Sequence, residues 1–398
     1  MADAPESEKT TLGVILFSRT SLNIPIRLTY FFLPAIARGL GVSLAAASVL
    51  VSARSAMGIV APVLGSQSDR WGGRKLMGLG LALLVVGSAL TFGLPWYWLA
   101  LFAFGLFGLA KSAYDPAMQV YVGRRVPYER RGRALGLAEL AWSGALLVMP
   151  LCGWLMARAG WRSSFGLIAV LGIVSWWLTR RVLPPSGADA RNHGGKTARF
   201  RDGLLALSQS IRILWRDPQA RLALLISALL MFAQDTTFIV YAAWLEDSFA
   251  LTVTALGLVT LVVGVAELNA ELGVALLSDR VGKRRAVFLS LIFTGCGYLL
   301  LPRMTGSLVA ALAGTAFVIL GFEFSIVGLI PIISGLNATE RGTLMSLNMS
   351  ATSVGRMVAA PLAVVLYQPG DITRNGLISA IVCLVLLVLL TQLRERGH

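Results

Sequence analysis

The sequence predicts an all-α integral membrane protein with twelve transmembrane helices in two pseudo-symmetric six-helix bundles. Composition is the first reason: hydrophobic residues make up 56% of the chain and charged residues 14%, with a mean hydropathy of +0.73, whereas soluble domains are about 25% charged. The second is that apolar runs long enough to cross about 30 Å of hydrocarbon recur along the whole chain. The third is a duplicated charged turn. Gly65-Ser-Gln-Ser-Asp69-Arg70-Trp-Gly72-Gly-Arg74-Lys75 returns as Ala275-Leu-Leu-Ser-Asp279-Arg280-Val-Gly282-Lys-Arg284-Arg285, an offset of 210 residues between Asp69 and Asp279 that also carries Arg131-Gly132 onto Arg341-Gly342.

Taken in order, residues 1–10 are polar and acidic, with no basic leader or cleavage pattern, so the first apolar run is expected to be retained. Six runs follow at about 12–33, 43–65, 76–94, 97–120, 132–156 and 163–183, and six more at about 219–243, 252–276, 286–302, 307–333, 342–366 and 373–393. They divide the chain into an N-terminal bundle over 1–183, a linker over 184–217 and a C-terminal bundle over 218–398. The linker opens with Pro184-Pro-Ser-Gly and carries Arg191, Lys196, Arg199, Arg201, Arg212 and Arg216, as a solvated connection should. At its end Leu204, Leu207, Ile211, Leu214 and Trp215 recur at helical spacing, which fits either an amphipathic surface helix or an extension of the seventh helix.

Basic residues accumulate in alternate connections. Arg70, Arg74, Lys75, the cluster Arg124, Arg125, Arg130, Arg131 and Arg133, the linker, and Arg280, Lys283, Arg284 and Arg285 fall on one side; Arg38, Arg158, Arg162, Arg303 and Arg374 fall on the other. The positive-inside rule then places both termini in the cytoplasm and the protein in the cytoplasmic (inner) membrane. The same placement accounts for the net charge of +15 without a nucleic-acid partner, since no basic helix or aromatic platform is present. Cys152, Cys296 and Cys383 lie in separate runs without CxxC spacing, and the histidines are His193 in the linker and His398 at the end, so no metal and no cofactor are expected. With no GxSxG or HExxH pattern, an enzyme is not expected either. The expected state is a monomer among membrane lipids.

In the repeated turn, Gly65 would let two helices approach closely, and Asp69 can accept from the open N–H groups at the start of a neighbouring helix, where its charge suits the dipole. Two six-helix halves, a charged central linker and the pattern GxxxDRxGxRK, met in full at Gly65, Asp69, Arg70, Gly72, Arg74 and Lys75, resemble the major facilitator superfamily. The resemblance implies a transporter working by alternating access. It also implies that Gly65, Asp69, Arg70, Gly72 and Arg74, with Asp279 and Arg280 of the second copy, form a conformational gate that latches one side shut against helix 11 near Arg341-Gly342. Segments such as Ala110-Lys-Ser-Ala-Tyr-Asp-Pro-Ala117 resemble the drug and metabolite (arabinose-efflux-permease-like) proton antiporter branch. The glycine and proline pattern of helix 5 in that branch is met in part: Pro150 is expected to kink the helix, while Met149 and Trp154 stand where glycine is usual. The arginine common in helix 4 is missing, with Phe104-Gly-Leu-Phe-Gly108 near its place.

Charges inside the runs are too costly to face lipid, so they should face a wet central cavity or one another. In the first half these are Arg19, Arg27, Arg54, Lys111, Asp115 and Glu139; in the second, Asp235, Glu267, Glu271, Glu323 and Arg356. Arg19, Asn23 and Arg27 share one helix face with Tyr30 close to it, and Lys111 and Asp115 are spaced to pair. The first half thus contributes mostly cations and the second mostly carboxylates. The split assigns Arg19, Asn23, Arg27, Tyr30, Arg54, Lys111 and Trp142 to an anionic or polar head group, and Asp235, Glu267, Glu323 and Glu139 to the driving protons. The alternative is that these charges are structural ion pairs between the bundles. Glu271, nearer Asp279, is expected to be structural or part of the gate. Proton-coupled efflux of a small organic or amphipathic substrate, flipping of a lipid or lysolipid, nutrient uptake and a non-transporting receptor or scaffold are all compatible with these residues.

Overall fold

The computed structural model describes residues 4–125, 138–184, 207–337 and 339–393. Helical segments follow one another along it. In the first half they are α1 (Ala4–Leu40), α2 (Leu44–Ala56 and Ala61–Trp71, joined by the 3-10 turn Met57–Val60), α3 (Gly73–Gly93), α4 (Tyr97–Arg125), α5 (Ala138–Ala159, containing the 3-10 turn Ala145–Val148) and α6 (Ser163–Val182). In the second half they are α7 (Pro218–Phe249, interrupted at Ile239 and Val240), α8 (Val253–Val281), α9 (Lys283–Leu300), α10 (Leu308–Leu336), α11 (Arg341–Leu366) and α12 (Thr373–Gln392). Among the described residues, eleven helices are long and apolar enough to cross a membrane. The remaining one, α1, is 37 residues long and carries Arg19, Asn23 and Arg27 through its middle. It also bends at Phe32, beside Pro34, whose ring cannot fit a regular turn. The kink expected in α5 is present as the 3-10 turn immediately before Met149 and Pro150.

Each half is assembled by one neighbour pattern. In the first, α3 packs on α4 and α6, α6 on α1, and α2 on α4; six helices later, α9 packs on α10 and α12, α12 on α7, and α8 on α10. The halves meet along two seams, α2 with α11 and α5 with α8, which the same six-helix shift interchanges.

The duplication extends to backbone and side chain. At Gly72, φ is 86°, and at Gly282 it is 89°, a conformation open to glycine, and these turns lead α2 into α3 and α8 into α9. Two residues on, Arg74 donates to Arg180 O at the end of α6. Its counterpart Arg284 donates to Leu390 O (3.1 Å) and Thr391 O (2.5 Å) at the end of α12. Each arginine therefore caps helix C-terminal carbonyls inside its own half, where a cation also suits the dipole. This corrects the expectation that Arg74 latches one half to the other.

Gly65 also differs from expectation. A Cβ there would lie 3.5 Å from Pro116 and from Ser346, an ordinary contact, whereas at Gly58 it would fall 1.9 Å from Ser353 Oγ of α11. The close approach of α2 to α11 is thus at Gly58. The side chains of Asp69, Arg70, Asp279 and Arg280, together with Arg131, Gly132 and Gly136, lie outside the described residues. Of the linker, 207–216 form a short helix that ends at Asp217, whose carboxylate accepts from Gln219 N–H (2.9 Å) and caps α7. The break at Asp217 separates this helix from α7; within it Leu214 is buried while Ile213 and Trp215 are exposed.

The position of Arg54 in the interior depends on a close contact between α2 and α4. A Cβ at Gly108 would fall 1.9 Å from Arg54 O, against backbone that cannot yield. Gly108→Val is expected to lower the thermal unfolding temperature, by an overpacking cost of about 1–3 kcal/mol or more. Gly105→Ala, with nothing within 4 Å of the new methyl, should leave it unchanged or raised in the same unfolding assay.

Candidate functional site

Two adjoining spaces lie at the centre of the molecule. One, of about 250 Å³, is walled mainly by α1, α2, α4 and α11; the other, of about 620 Å³, by α1, α5, α7, α8, α10 and α11. Glu139, Trp142 and Arg356 line both. Along one face of α1, Arg19 reaches the wall of the smaller space and Arg27 and Tyr30 that of the larger, with Asn23 buried between them.

The first group of charges belongs entirely to the N-terminal half. Arg19 Nε donates to Asp115 Oδ1 (3.2 Å), and its Nη1 reaches Glu139 Oε2 (2.9 Å) and Ala138 O (2.7 Å). Lys111 Nζ donates to Asp115 Oδ2 (2.9 Å) and to Asn23 Oδ1 (2.8 Å). The local pair Lys111–Asp115 forms as its spacing requires. Arg19 and Lys111, however, are already matched by carboxylates of their own half, which corrects their assignment as cations free for a substrate. Glu139, with 53% of its side chain exposed, is the counter-ion of Arg19 and not a buried proton carrier.

The second group joins the halves. Arg27 Nη2 donates to Glu267 Oε2, pairing α1 with α8, and its guanidinium lies 4.4 Å from the ring centroid of Trp142. Lys111 lies 5.4 Å from the same centroid. Tyr30 donates to Asp235 Oδ2 (3.0 Å), and Arg356 Nε is 3.2 Å from that oxygen. At the far end of α1, Arg38 makes a two-point contact with Glu246 at 2.6 and 3.0 Å. The ion-pair alternative therefore describes Arg27 with Glu267.

The third group is unmatched. Arg54 is 3% exposed; its Nη1 donates to Ile26 O (3.1 Å), its guanidinium lies 5.4 Å from the Tyr30 ring centroid, and its Nη2 has no hydrogen-bond partner. Arg356 lies 5.8 Å from the same ring, so two guanidiniums approach Tyr30. Among the described residues no carboxylate pairs with Arg54, and no cation pairs with the buried Glu323. Ser55 Oγ and Arg27 Nε are further buried polar atoms without partners. The arrangement can receive an anion at Arg54 and exchange a proton at Glu323. Uncharged wall residues such as Met231, Gln234, Phe322 and Ile326 carry no sequence signal that sets them apart from ordinary core.

The family model for the Major Facilitator Superfamily matches residues 14–241 and 223–398. Multidrug resistance protein 2 of Bacillus subtilis (strain 168) is 23% identical over 314 residues, which is 78% of this chain and 76% of that protein. Inner membrane transport protein YdhP of Escherichia coli (strain K12) is 30% identical over 162 residues, 40% of this chain and 41% of that one. Lysophospholipid transporter LplT of Enterobacter sp. (strain 638) is 23% identical over 195 residues, 49% of this chain and 47% of that one.

The matched and unmatched arginines should respond oppositely to removal of charge. Arg19→Met leaves Asp115 with Lys111 alone and is expected to destabilise the protein toward the lower end of the about 3–5 kcal/mol typical of a broken buried pair. Arg54→Met removes a charge that has no counter-ion, so its unfolding temperature should equal or exceed that of the parent protein in a thermal shift assay.

Proposed function

The chain belongs to the major facilitator superfamily and is a multi-pass membrane transporter of that family, and from its central cavity we propose proton-coupled efflux of a small organic anion by alternating access. The observation that carries this reading is the unpaired Arg54. Burying a guanidinium without a carboxylate is strongly unfavourable, and a cation–π contact with Tyr30 returns only about 0.5–2 kcal/mol. An anion arriving at Arg54 supplies the missing counter-charge and relieves the repulsion between Arg54 and Arg356 near the Tyr30 ring. Arg27, whose Nε is unpartnered, and Trp142 stand beside the same path. Glu323 is the complementary carboxyl: it lines the larger space, has no cation of its own, and takes up and releases the proton. Glu267 and Asp235 enter the cycle through the cross-half contacts that they make with Arg27 and Tyr30.

Outward transport is supported by the likeness to a protein named for multidrug resistance. The distribution of Lys and Arg supports a cytoplasmic membrane location with both termini inside. Proteoliposomes offered benzenesulfonate, a permanent anion that brings no proton, test the proposal. A pH gradient should drive its movement in the parent protein, Arg54→Ala should reduce that movement at least tenfold, and Glu323→Gln should keep binding while losing the response to the gradient. Full pH-driven transport in Arg27→Ala, Arg54→Ala and Glu267→Gln alike would remove the reading.

A further inference from the structure

The larger space is divided by chemistry along its length. At one end its walls carry Arg27, Asp235, Glu267, Glu323 and Arg356. Toward the end where α8 turns into α9, they are formed by Leu140 of α5, Leu268 and Leu272 of α8, and Ile326 and Ile330 of α10, with the carboxylates Glu139 and Glu271 beside Leu140 and Leu272. Leu272 is 61% exposed, and Leu140, Leu268 and Ile330 are exposed as well, so the mouth of a charged cavity is rimmed by large apolar side chains. A vestibule for a water-soluble solute gains nothing from such a rim, whereas an exposed apolar patch continuous with a binding pocket is a feature of recognition.

The rim lies on a seam between the halves. Along α5 and α8, Gly153 faces Gly257, Leu146 faces Thr260 and Gly264, and Ser143 donates to Glu271 Oε1 (3.3 Å). One turn beyond that last contact, Leu140 and Leu272 line the cavity. Leu268 and Leu272 also continue a stripe of α8 that begins with the exposed Leu261 and Val265 at helical spacing. Those two residues border an outer groove of about 660 Å³ between α8, α9 and α10, in which Asn269 is the single polar side chain among the lining residues. The apolar surface is therefore continuous from the outer face of the second half to the mouth of the cavity.

We propose that this rim and the wall behind it form a slot for the single hydrocarbon chain of an anionic amphiphile, which enters from the adjoining leaflet between α5 and α8. The head group is held where the two spaces adjoin, by Arg54 of the smaller and Arg27 of the larger, and the chain lies along Phe322 and Ile326 and leaves the cavity past Leu140, Leu268 and Leu272. The inference rests on the reading that Arg54 receives an anion, and it names the class of anion: one whose apolar tail never has to leave hydrocarbon. The amphiphile is drawn from the membrane, not from water.

The test uses the full chain in lipid nanodiscs and the series methanesulfonate, butanesulfonate and octanesulfonate, with partitioning into empty nanodiscs subtracted. Affinity should rise with chain length by up to about fourfold per buried methylene, and Arg54→Ala should weaken the whole series. Leu272→Asn and Leu140→Asn, which add no charge to the cavity, should flatten the dependence on chain length, and methanesulfonate, which has no chain to place at the rim, reports that the variants are folded. Should either fail to fold, Leu272→Ala provides the measurement, with a smaller loss expected only for the longer chains. Affinity that does not depend on chain length, or a dependence identical in the rim variants, would overturn the slot and leave an Arg54-dependent anion site standing. Binding of the whole series that is indifferent to Arg54→Ala would overturn the anion site and the slot together.

Discussion

A charge held at mid-bilayer depth must be met by an opposite charge, and the interior of this protein is organised by how that requirement is satisfied. Where it is satisfied within one half, the result is scaffold. Arg19, Asp115, Lys111 and Glu139 tie α1, α4 and α5 together in contacts that a movement of one half against the other need not disturb. Where it is satisfied between halves, the result opposes motion: Arg27 with Glu267, and Tyr30 with Asp235, join α1 to α8 and α7 and must loosen if the halves rock. The residues left over, Arg54 and Glu323, are those to which the proposed cycle brings an anion and a proton. Scaffold, resistance and binding thus follow from one rule applied to different partners.

Local features of this design were legible in the sequence and spatial ones were not. Lys111 and Asp115 are one helical turn apart, so their pairing could be read directly. Arg19 reaches Asp115 and Glu139 on two other helices, and nothing in its own stretch of sequence distinguishes it from the unpaired Arg54. The duplicated turn announced two related halves, and the glycines Gly72 and Gly282 share the backbone conformation that such a repeat implies. The role of Arg74 was hidden because its acceptor is a backbone carbonyl, Arg180 O, which leaves no mark on side-chain identity. Likewise, Gly65 stands out in a motif, yet the tight helix contact is at Gly58, because crowding depends on what the facing helix presents. The apolar rim was illegible for a different reason. In a chain this rich in leucine, a leucine lining a cavity looks like any leucine facing lipid.

The two seams between the halves show how the same membrane constraint is met where backbone, not side chain, is at risk. Pro62 in α2 and Pro150 in α5 each remove the N–H that would satisfy a carbonyl four residues earlier, Gly58 O and Leu146 O respectively. In both helices a 3-10 turn supplies a replacement from three residues on, Ala61 N–H to Gly58 O and Met149 N–H to Leu146 O. In both, a hydroxyl from the opposite half also stands at the carbonyl: Ser350 Oγ of α11 is 3.3 Å from Gly58 O, and Thr260 Oγ1 of α8 is 3.1 Å from Leu146 O. Each hydroxyl has an alternative acceptor in its own helix, Ser346 O at 3.3 Å and Gly257 O at 2.6 Å. Parting at these two points therefore leaves neither the carbonyl nor its hydroxyl unsatisfied in hydrocarbon. The Arg27–Glu267 contact has no such fallback: among the described residues neither side chain has a second ion-pair partner. The hydrogen bonds at the two backbone carbonyls thus have fallbacks that the Arg27–Glu267 contact lacks.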